Sequence, residues 1–202
     1  MDALTLPLPQ RRFVFLRHGQ TEFNREGRFQ GKIDVPLNDA GHAQAQTAAA
    51  ALAGVEFSRV VSSPARRVLQ TVEPLLRNSA LEMHVEDHLM EMSVGSFEGQ
   101  LIADIRREHG LQDGELWLSI LPADAERWQE FEVRVCAAVT AWTEMHSDET
   151  ILIASHGLVF HALAHLLTGQ KMFSGNAQAH IFEPGRNSWT VSAIGAASPV
   201  PA

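Results

Sequence analysis

Two histidines in this chain stand in matching surroundings. Arg17-His18-Gly19 follows the apolar run Phe13 to Leu16, and Ser155-His156-Gly157 follows the run Thr150 to Ala154. A third run, Arg59 to Ser62, leads into Ser63, Pro64, Ala65, Arg66 and Arg67, and a weaker one, Leu81 to Val85, precedes Glu91. These side chains suit phosphorus chemistry. Arginine forks match phosphate oxygens bidentately. A neutral imidazole is a good nucleophile toward phosphorus, and nearby arginines keep it neutral by lowering its pKa. A carboxyl group such as that of Glu91 serves as acid in one step and base in the next. Taken singly, each residue also has a plain structural explanation: a satisfied histidine at a strand end, a solvated helix arginine, a surface acid. Their joint occurrence after four candidate strands favours chemistry.

The elements that would position them follow from pattern. Short continuous apolar runs at 13–16, 59–62 and 150–154 predict strands covered on both faces, with a fourth at 81–85. A polar, glycine-containing loop is expected over 17–37. Asn38 can cap an alanine-rich helix that stops at Gly54, and Pro64 suits the first turn of a helix running to about Asn78. Segments 101–109, 115–121 and 124–146 read as helices, the last long and amphipathic. A helix from His156 to about Leu167 ends at Gly169, and strands at about 178–183 and 188–194 flank the turn Pro184 to Asn187. Residues 1–11 and 198–202 read as loose ends. The alternation predicts an α/β fold, a three-layer sandwich with a mainly parallel central sheet and helices on both faces. One domain over 1–202 is expected, with a core at about 12–195. Ligands bind outside the carboxyl ends of strands in such a sheet, so the two histidines, the arginines and Glu91 should meet along one edge. His156 would sit at a helix N-terminus, which favours an anion. The glycine after each histidine should let a ligand approach the backbone.

Composition narrows the setting. The 202 residues are 45% hydrophobic and 20% charged, ordinary for a soluble α/β protein. A formal net charge of −8 argues against nucleic acid as a partner. It leaves room for a small anionic substrate opposite a local arginine cluster. The single cysteine, Cys136, excludes an intramolecular disulfide and suits a reducing cytosol; its apolar surroundings place it in the core. The first residues lack a basic, apolar leader. The longest apolar stretch, Ile151 to Leu167, contains His156, His161 and His165, so no membrane span is expected and the location predicted is cytoplasmic. His161 and His165 have ligand spacing without a convincing third ligand, so neither a metal nor another cofactor is expected. His42, His84, His88, His109, His146 and His180 read as structural. The four tryptophans read as core, with Trp117 and Trp128 also candidates for the mouth of the site. A homodimer is compatible with the sequence and not required by it.

Five ordered pieces carry a resemblance: LRHGQTEFN (16–24), GRFQGKIDVPLNDAG (27–41), SSPARRVLQT (62–71), LMEMSVGSFEGQ (89–100) and ASHG (154–157). Over about residues 12–195 the chain resembles the histidine phosphatase superfamily, in the branch of cofactor-dependent phosphoglycerate mutases and their phosphatase relatives. The resemblance implies that His18 is phosphorylated and Glu91 is the proton donor. It implies that Arg17, Asn24, Arg67 and His156 bind the phosphoryl group, with Gln30, Gly31 and Gly157 beside it. The spacing from Ser62 to Thr71 selects Arg67 rather than Arg66. The implied activity is hydrolysis of small phosphate monoesters through phosphohistidine, without metal and with broad specificity. A mutase, or a dedicated phosphatase for α-ribazole phosphate or a sugar phosphate, is the alternative, and a non-catalytic phosphate-binding module stands behind these. The residues after Glu91 match the phosphatase branch and lack the tyrosine- and lysine-bearing insertion of the mutases. Segment 100–130 should form a lid, with Arg106, Arg107, Glu126 and Arg127 as polar contacts to the leaving group. Ala125-Glu126-Arg127 departs from the Gly-Glu-Ser of many phosphatase relatives.

Overall fold

The computed structural model describes residues 6–77, 79–112, 117–146 and 148–195. The apolar runs are strands, as their continuity requires. β1 (Phe13–Arg17), β2 (Arg59–Ser62), β3 (Glu82–Val85), β4 (Ile151–Ser155), β5 (Ala179–Pro184) and β6 (Trp189–Ile194) form one sheet in the order β3-β2-β4-β1-β5-β6. β3, β2, β4 and β1 are parallel, and β5 and β6 extend the sheet antiparallel. The register sets Arg17 opposite Ser155 and Ser62 opposite Ala154, so three chain segments leave the sheet side by side.

Helices cover both faces: α1 (Glu22–Glu26), α2 (Asp39–Leu52), α3 (Arg66–Leu76), α4 (Ile102–Glu108), α5 (Trp128–Met145) and α6 (Gly157–Thr168). The strand period of two divides β1 between the layers. Phe13 and Phe15 pack with Phe131, Val135 and Val139 of α5 and Phe160 and Leu163 of α6. Val14 and Leu16 pack on the other face with Ala48 and Leu52 of α2 and Val68 and Val72 of α3. A smaller cluster of Phe29, Val94, Phe97 and Ile105 lies apart from both, with Ile102 and Trp117 against it. Cys136 is buried, and burial pushes its thiol up to about 12, so it is an inert core residue. Among the described residues no helix is long and apolar enough to cross a membrane.

Local structure differs from the sequence pattern in several places. α1 interrupts the expected loop because Thr21 and Asn24 close a capping box: each side chain accepts from the other's backbone N–H. α3 starts at Arg66 rather than at Pro64, since Asp34 accepts the Arg66 N–H at 2.8 Å and Ala65 takes the N-cap position. The helix expected over 124–146 begins at Trp128, because Glu126 is engaged in loop contacts described below. A short 3-10 turn, Trp117–Ile120, stands in the segment expected to be helical over 115–121; residues 113–116 lie outside the described residues. In the lead-in, Leu6 and Leu8 pack against the core, and the Thr140 hydroxyl donates to the Pro7 carbonyl at 2.8 Å. Residues 1–5 and 196–202, including the tail read as loose, lie outside the described residues.

The exit of β1 is pressed against the first turn of α2. A Cβ on Gly19 would lie 2.6 Å from the Gly41 carbonyl oxygen, and one on Gly41 would lie 2.0 Å from that of Gln20. Gly19 therefore serves the packing of two backbones at the exit of β1. Helix propensity alone would make Gly41→Ala stabilising by about 1 kcal/mol. The contact predicts the opposite sign, a loss of about 1–3 kcal/mol from overpacking, read as a lower urea midpoint. A higher midpoint would show that the two backbones are not in contact.

Candidate active site

The four strand-end segments converge as the register demands. His18 is 2% exposed and lies where the chain leaves β1, its N–H donating to the Ser155 carbonyl at 3.0 Å. Its Nδ1 is 2.7 Å from the Gly19 carbonyl oxygen. A carbonyl only accepts, so Nδ1 carries the proton and the lone pair resides on Nε2. Burial, then Arg67, then Arg17 lower the His18 pKa well below the ordinary imidazole value. The ring is neutral and nucleophilic.

Arg17 and Arg67 surround it. Arg67 is fully buried; its guanidinium donates to the carbonyls of Ile33 at 2.8 Å and Gly31 at 3.0 Å. Arg17 donates to the Ser174 carbonyl, and its guanidinium passes 3.3 Å from where a Cβ on Gly157 would stand. Close ligand approach was expected of Gly157; what the structure places against it is the Arg17 guanidinium, for which it leaves room. His156, the N-cap of α6, lies with its ring 5.4 Å from that of His18 and shares a 2.8 Å hydrogen bond from Nε2 to the Ser63 hydroxyl. Burial, then the neighbouring cations, hold it well below the usual imidazole range as well. Three buried nitrogens here have no hydrogen-bond partner among the described residues: Arg17 Nε, Arg67 Nε and His156 Nδ1. Buried polar atoms are nearly always paired, so a cluster of three marks a place for an acceptor-rich ligand.

Glu91 faces the same cleft. One carboxylate oxygen accepts from the Met92 N–H at 3.1 Å and the other from the Leu158 N–H, in the first turn of α6, at 3.2 Å. Burial raises its pKa, against the pull of those two N–H groups and of Arg67 and Arg17. Burial outweighs the arginines. Asn24 turns its carbonyl oxygen toward the Thr21 N–H and the Asn176 amide, which leaves its Nδ2 for the cleft. Gln30 likewise gives its Oε1 to the Thr21 hydroxyl at 2.8 Å. The cavity is about 290 Å³ and is lined by Arg17, His18, Asn24, Gln30, Gly31, Arg67, Glu91 and Gly157 on its polar side.

The profile of the histidine phosphatase superfamily, branch 1, matches residues 13–196. The chain belongs to that superfamily. A candidate phosphoserine phosphatase of Hydrogenobacter thermophilus is 33% identical over 79% of this chain and 79% of its own length. A 2,3-bisphosphoglycerate-dependent phosphoglycerate mutase of Bartonella tribocorum is 30% identical over 79% and 82%. In three dimensions the chain is similar to a mycobacterial glucosyl-3-phosphoglycerate phosphatase solved with VO3, at 26% identity and a TM-score of 0.77 over 91% of this chain and 98% of that one. The superfamily thus reaches this chain with both phosphatases and mutases among its members.

Of the nine residues singled out in the sequence, eight line this cleft, and His156 stands behind the lining with its ring 5.4 Å from that of His18. The expected lid contacts do not line it. Arg107 pairs with Asp104 at 2.8 Å, Arg106 donates to the Gln112 carbonyl, and neither lines the cleft, nor does Arg127. Glu126 is turned the other way, into a two-point pair with Arg134 at 2.6 and 2.9 Å. Trp117 lines the cleft, whereas Trp128 packs into the core beside Phe131. Arg134 was not anticipated. Besides holding Glu126 it donates to the carbonyls of His88, Met90 and Glu91 at 2.6, 2.8 and 3.2 Å, and so fixes the backbone that carries Glu91. Asn176, whose Nδ2 donates to the His18 carbonyl and to Asn24 Oδ1, was missed too. Neither has a motif, since the partners of each, backbone carbonyls among them, lie in distant segments or on another turn of chain. Arg134→Met should cost about 1–3 kcal/mol in denaturant unfolding, because three carbonyls and a carboxylate lose their donor together. A change under about 0.5 kcal/mol would reduce these contacts to surface ornament.

Proposed function

We propose that the chain is a metal-independent phosphatase that hydrolyses small phosphate monoesters through a phosphohistidine on His18. One observation carries this reading: the free Nε2 lone pair of His18 lies among three buried, unpartnered nitrogens, with a carboxyl of raised pKa in the same cleft. The phosphoryl group occupies the space those nitrogens leave unsatisfied. Arg17, Arg67 and His156 donate to its oxygens, and the Asn24 and Gln30 amides and the backbone at Gly31 and Gly157 complete the cradle. Charge that grows on the equatorial oxygens meets guanidinium groups already in place, so no metal is required.

The first step forms a bond from His18 Nε2 to phosphorus as the bond from phosphorus to the alcohol oxygen breaks. The departing electron pair stays on that oxygen, which takes the proton of Glu91. The Nδ1–H bond to Gly19 holds the ring in the required tautomer throughout. In the second step the Glu91 carboxylate removes a proton from water, whose oxygen bonds to phosphorus. The nitrogen–phosphorus bond breaks, its electrons return to Nε2, and phosphate leaves. Directional polar groups are few on the alcohol side, which supports acceptance of several monoesters rather than one.

Two outcomes test the roles. In excess chelator the wild type hydrolyses p-nitrophenyl phosphate and His18→Ala does not; equal rates in both would remove His18 from the mechanism. With Glu91→Gln, esters of poor leaving groups slow by about 10²–10⁴-fold. p-Nitrophenolate needs no proton, so that substrate should instead give a burst of one equivalent followed by a stalled phosphoenzyme.

The pH dependence follows from the two shifts. Phosphorylation needs His18 neutral, which holds above its lowered pKa, and Glu91 protonated, which holds below its raised one. For an alkyl phosphate, kcat/KM should therefore fall as pH rises through the raised Glu91 pKa, and the acid limb from His18 should lie below the ordinary imidazole range. Glu91→Gln should flatten the alkaline limb. An alkaline limb that survives in that variant would assign it to another group.

A further inference from the structure

Beyond the phosphoryl cradle the cleft changes character. Its apolar wall is built mainly from Phe23, Phe29, Val94, Ile102, Trp117 and Phe173, drawn from α1 and the loop after it, the segment after Glu91, α4, the 3-10 turn and the loop before β5. Three of its four aromatic rings are held by ring contacts within the protein. Trp117 meets Phe29 edge to face, with centroids 4.8 Å apart at 83°. Phe173 is 49% exposed, yet it stacks on His161 at 4.6 Å and 4°, and His161 is itself held by a 2.9 Å hydrogen bond from Nδ1 to the Met172 carbonyl. An exposed aromatic ring kept in one orientation at the rim of a cleft is a preformed contact surface.

Charge on this wall is scarce and already used. Arg28 is the one cation lining the cleft, among the described residues, apart from Arg17 and Arg67. Its Nε donates to the Glu26 carboxylate at 2.5 Å, and its Nη1 donates to the Gly99 carbonyl at 2.9 Å. A carboxylate or second phosphate on the alcohol would thus enter beside the Glu91 carboxyl and an arginine whose Nε and Nη1 are already held by Glu26 and Gly99. It would lose its water against aromatic carbon, at a cost that among the described lining residues Arg28 alone could offset, and only in part. A flat apolar alcohol loses nothing polar in the same place. The cavity, about 290 Å³ in all, stands at the lower end of the roughly 300–1,000 Å³ range of small-molecule sites, so the alcohol is small as well as apolar.

We propose that the leaving-group side of the cleft selects phosphate monoesters of small, flat, apolar alcohols over those bearing a second anionic group, with Trp117 and Phe173 as the residues that set the preference. This rests on the phosphatase reading above and gives it a substrate class.

The test compares benzyl phosphate, ethyl phosphate and 3-phosphoglycerate, all esters of alcohols, so that the leaving oxygen stays comparable. The wild type should show kcat/KM for benzyl phosphate about tenfold or more above ethyl phosphate. 3-Phosphoglycerate should come lowest. Trp117→Ala and Phe173→Ala should each reduce the benzyl-to-ethyl ratio, by roughly tenfold and threefold, and Trp117→Phe should keep most of it. The ratio does not depend on the fraction of active enzyme, so partial misfolding of a variant leaves it readable, and Phe173 is exposed enough to replace without disturbing the core. If 3-phosphoglycerate is preferred, or if the wild type treats the three alike, the inference fails while turnover keeps the phosphatase reading. A benzyl preference that neither alanine variant alters would also overturn it. No turnover of any ester, p-nitrophenyl phosphate included, would sink the phosphatase reading and the inference with it.

Discussion

Two guanidinium groups sit in the interior of this fold with backbone carbonyls as their protein acceptors, and among the described residues neither forms a salt bridge with a carboxylate. An unpaired buried charge costs several kcal/mol even after the surroundings relax. Much of the structure around the cleft can be understood as holding Arg17 and Arg67 in place despite that cost. The carbonyls of Gly31 and Ile33 turn inward to Arg67, and that of Ser174 turns to Arg17. Gly157 leaves the space through which the Arg17 guanidinium passes. The parallel pairing of β1 with β4 and of β4 with β2 brings the segments carrying these arginines to one edge. An anion in the cleft would supply what the protein withholds.

The same two cations press on every titratable group nearby, and their effects differ with sign. His18 and His156 are already disfavoured as cations by burial, and the arginines push them further the same way. For Glu91 the influences oppose one another. Arg67 and Arg17 favour the carboxylate, as do the N–H groups of Met92 and Leu158, but desolvation is larger and the carboxyl holds its proton to a higher pH. An imidazole held neutral and a carboxyl that keeps its proton to a higher pH than usual therefore share one small volume.

The sequence made the strand ends readable. Continuous apolar runs located β1, β2 and β4, and the rule for ligand sites in parallel sheets then brought Arg17, His18, Arg67, Glu91 and His156 together before any coordinate was known. What stayed hidden depends on partners far along the chain. Arg134 looks like any other helix arginine until His88, Met90 and Glu91 present their carbonyls to it. Glu126 looked like a substrate contact because it stands in the expected lid; its partner proves to be Arg134, one side over. α1 escaped notice because Asn24, rather than the usual Glu or Gln, closes its capping box. Gly19 was read through the histidine before it, whereas the backbone of Gly41 explains it.

Ser93 and Glu126 are joined twice: the Glu126 N–H donates to the Ser93 carbonyl at 3.0 Å, and the Ser93 N–H donates to a Glu126 carboxylate oxygen at 3.3 Å. Arg134 grips this junction on the same side as the backbone of Glu91. The segment that begins at Val94 and ends at Ala125 thus departs and returns at one junction, and its first residues are tied as well to the loop after α1, through Phe29 with Gly99 and Gln100 and through Gly27 with Ile102. Closure entropy rises only about 0.6 kcal/mol for each doubling of a loop, so such an excursion can lengthen, shorten or change its residues at little thermodynamic cost. Trp117 and Ile102 lie on the excursion; Glu91 and Arg134 lie outside it. Val94, Ile102 and Trp117 of the apolar wall belong to this excursion, whereas Phe23, Phe29 and Phe173 come from the segments that also carry Asn24, Gly31 and Ser174, so one part of the wall can vary apart from the polar side of the cleft and the other part cannot.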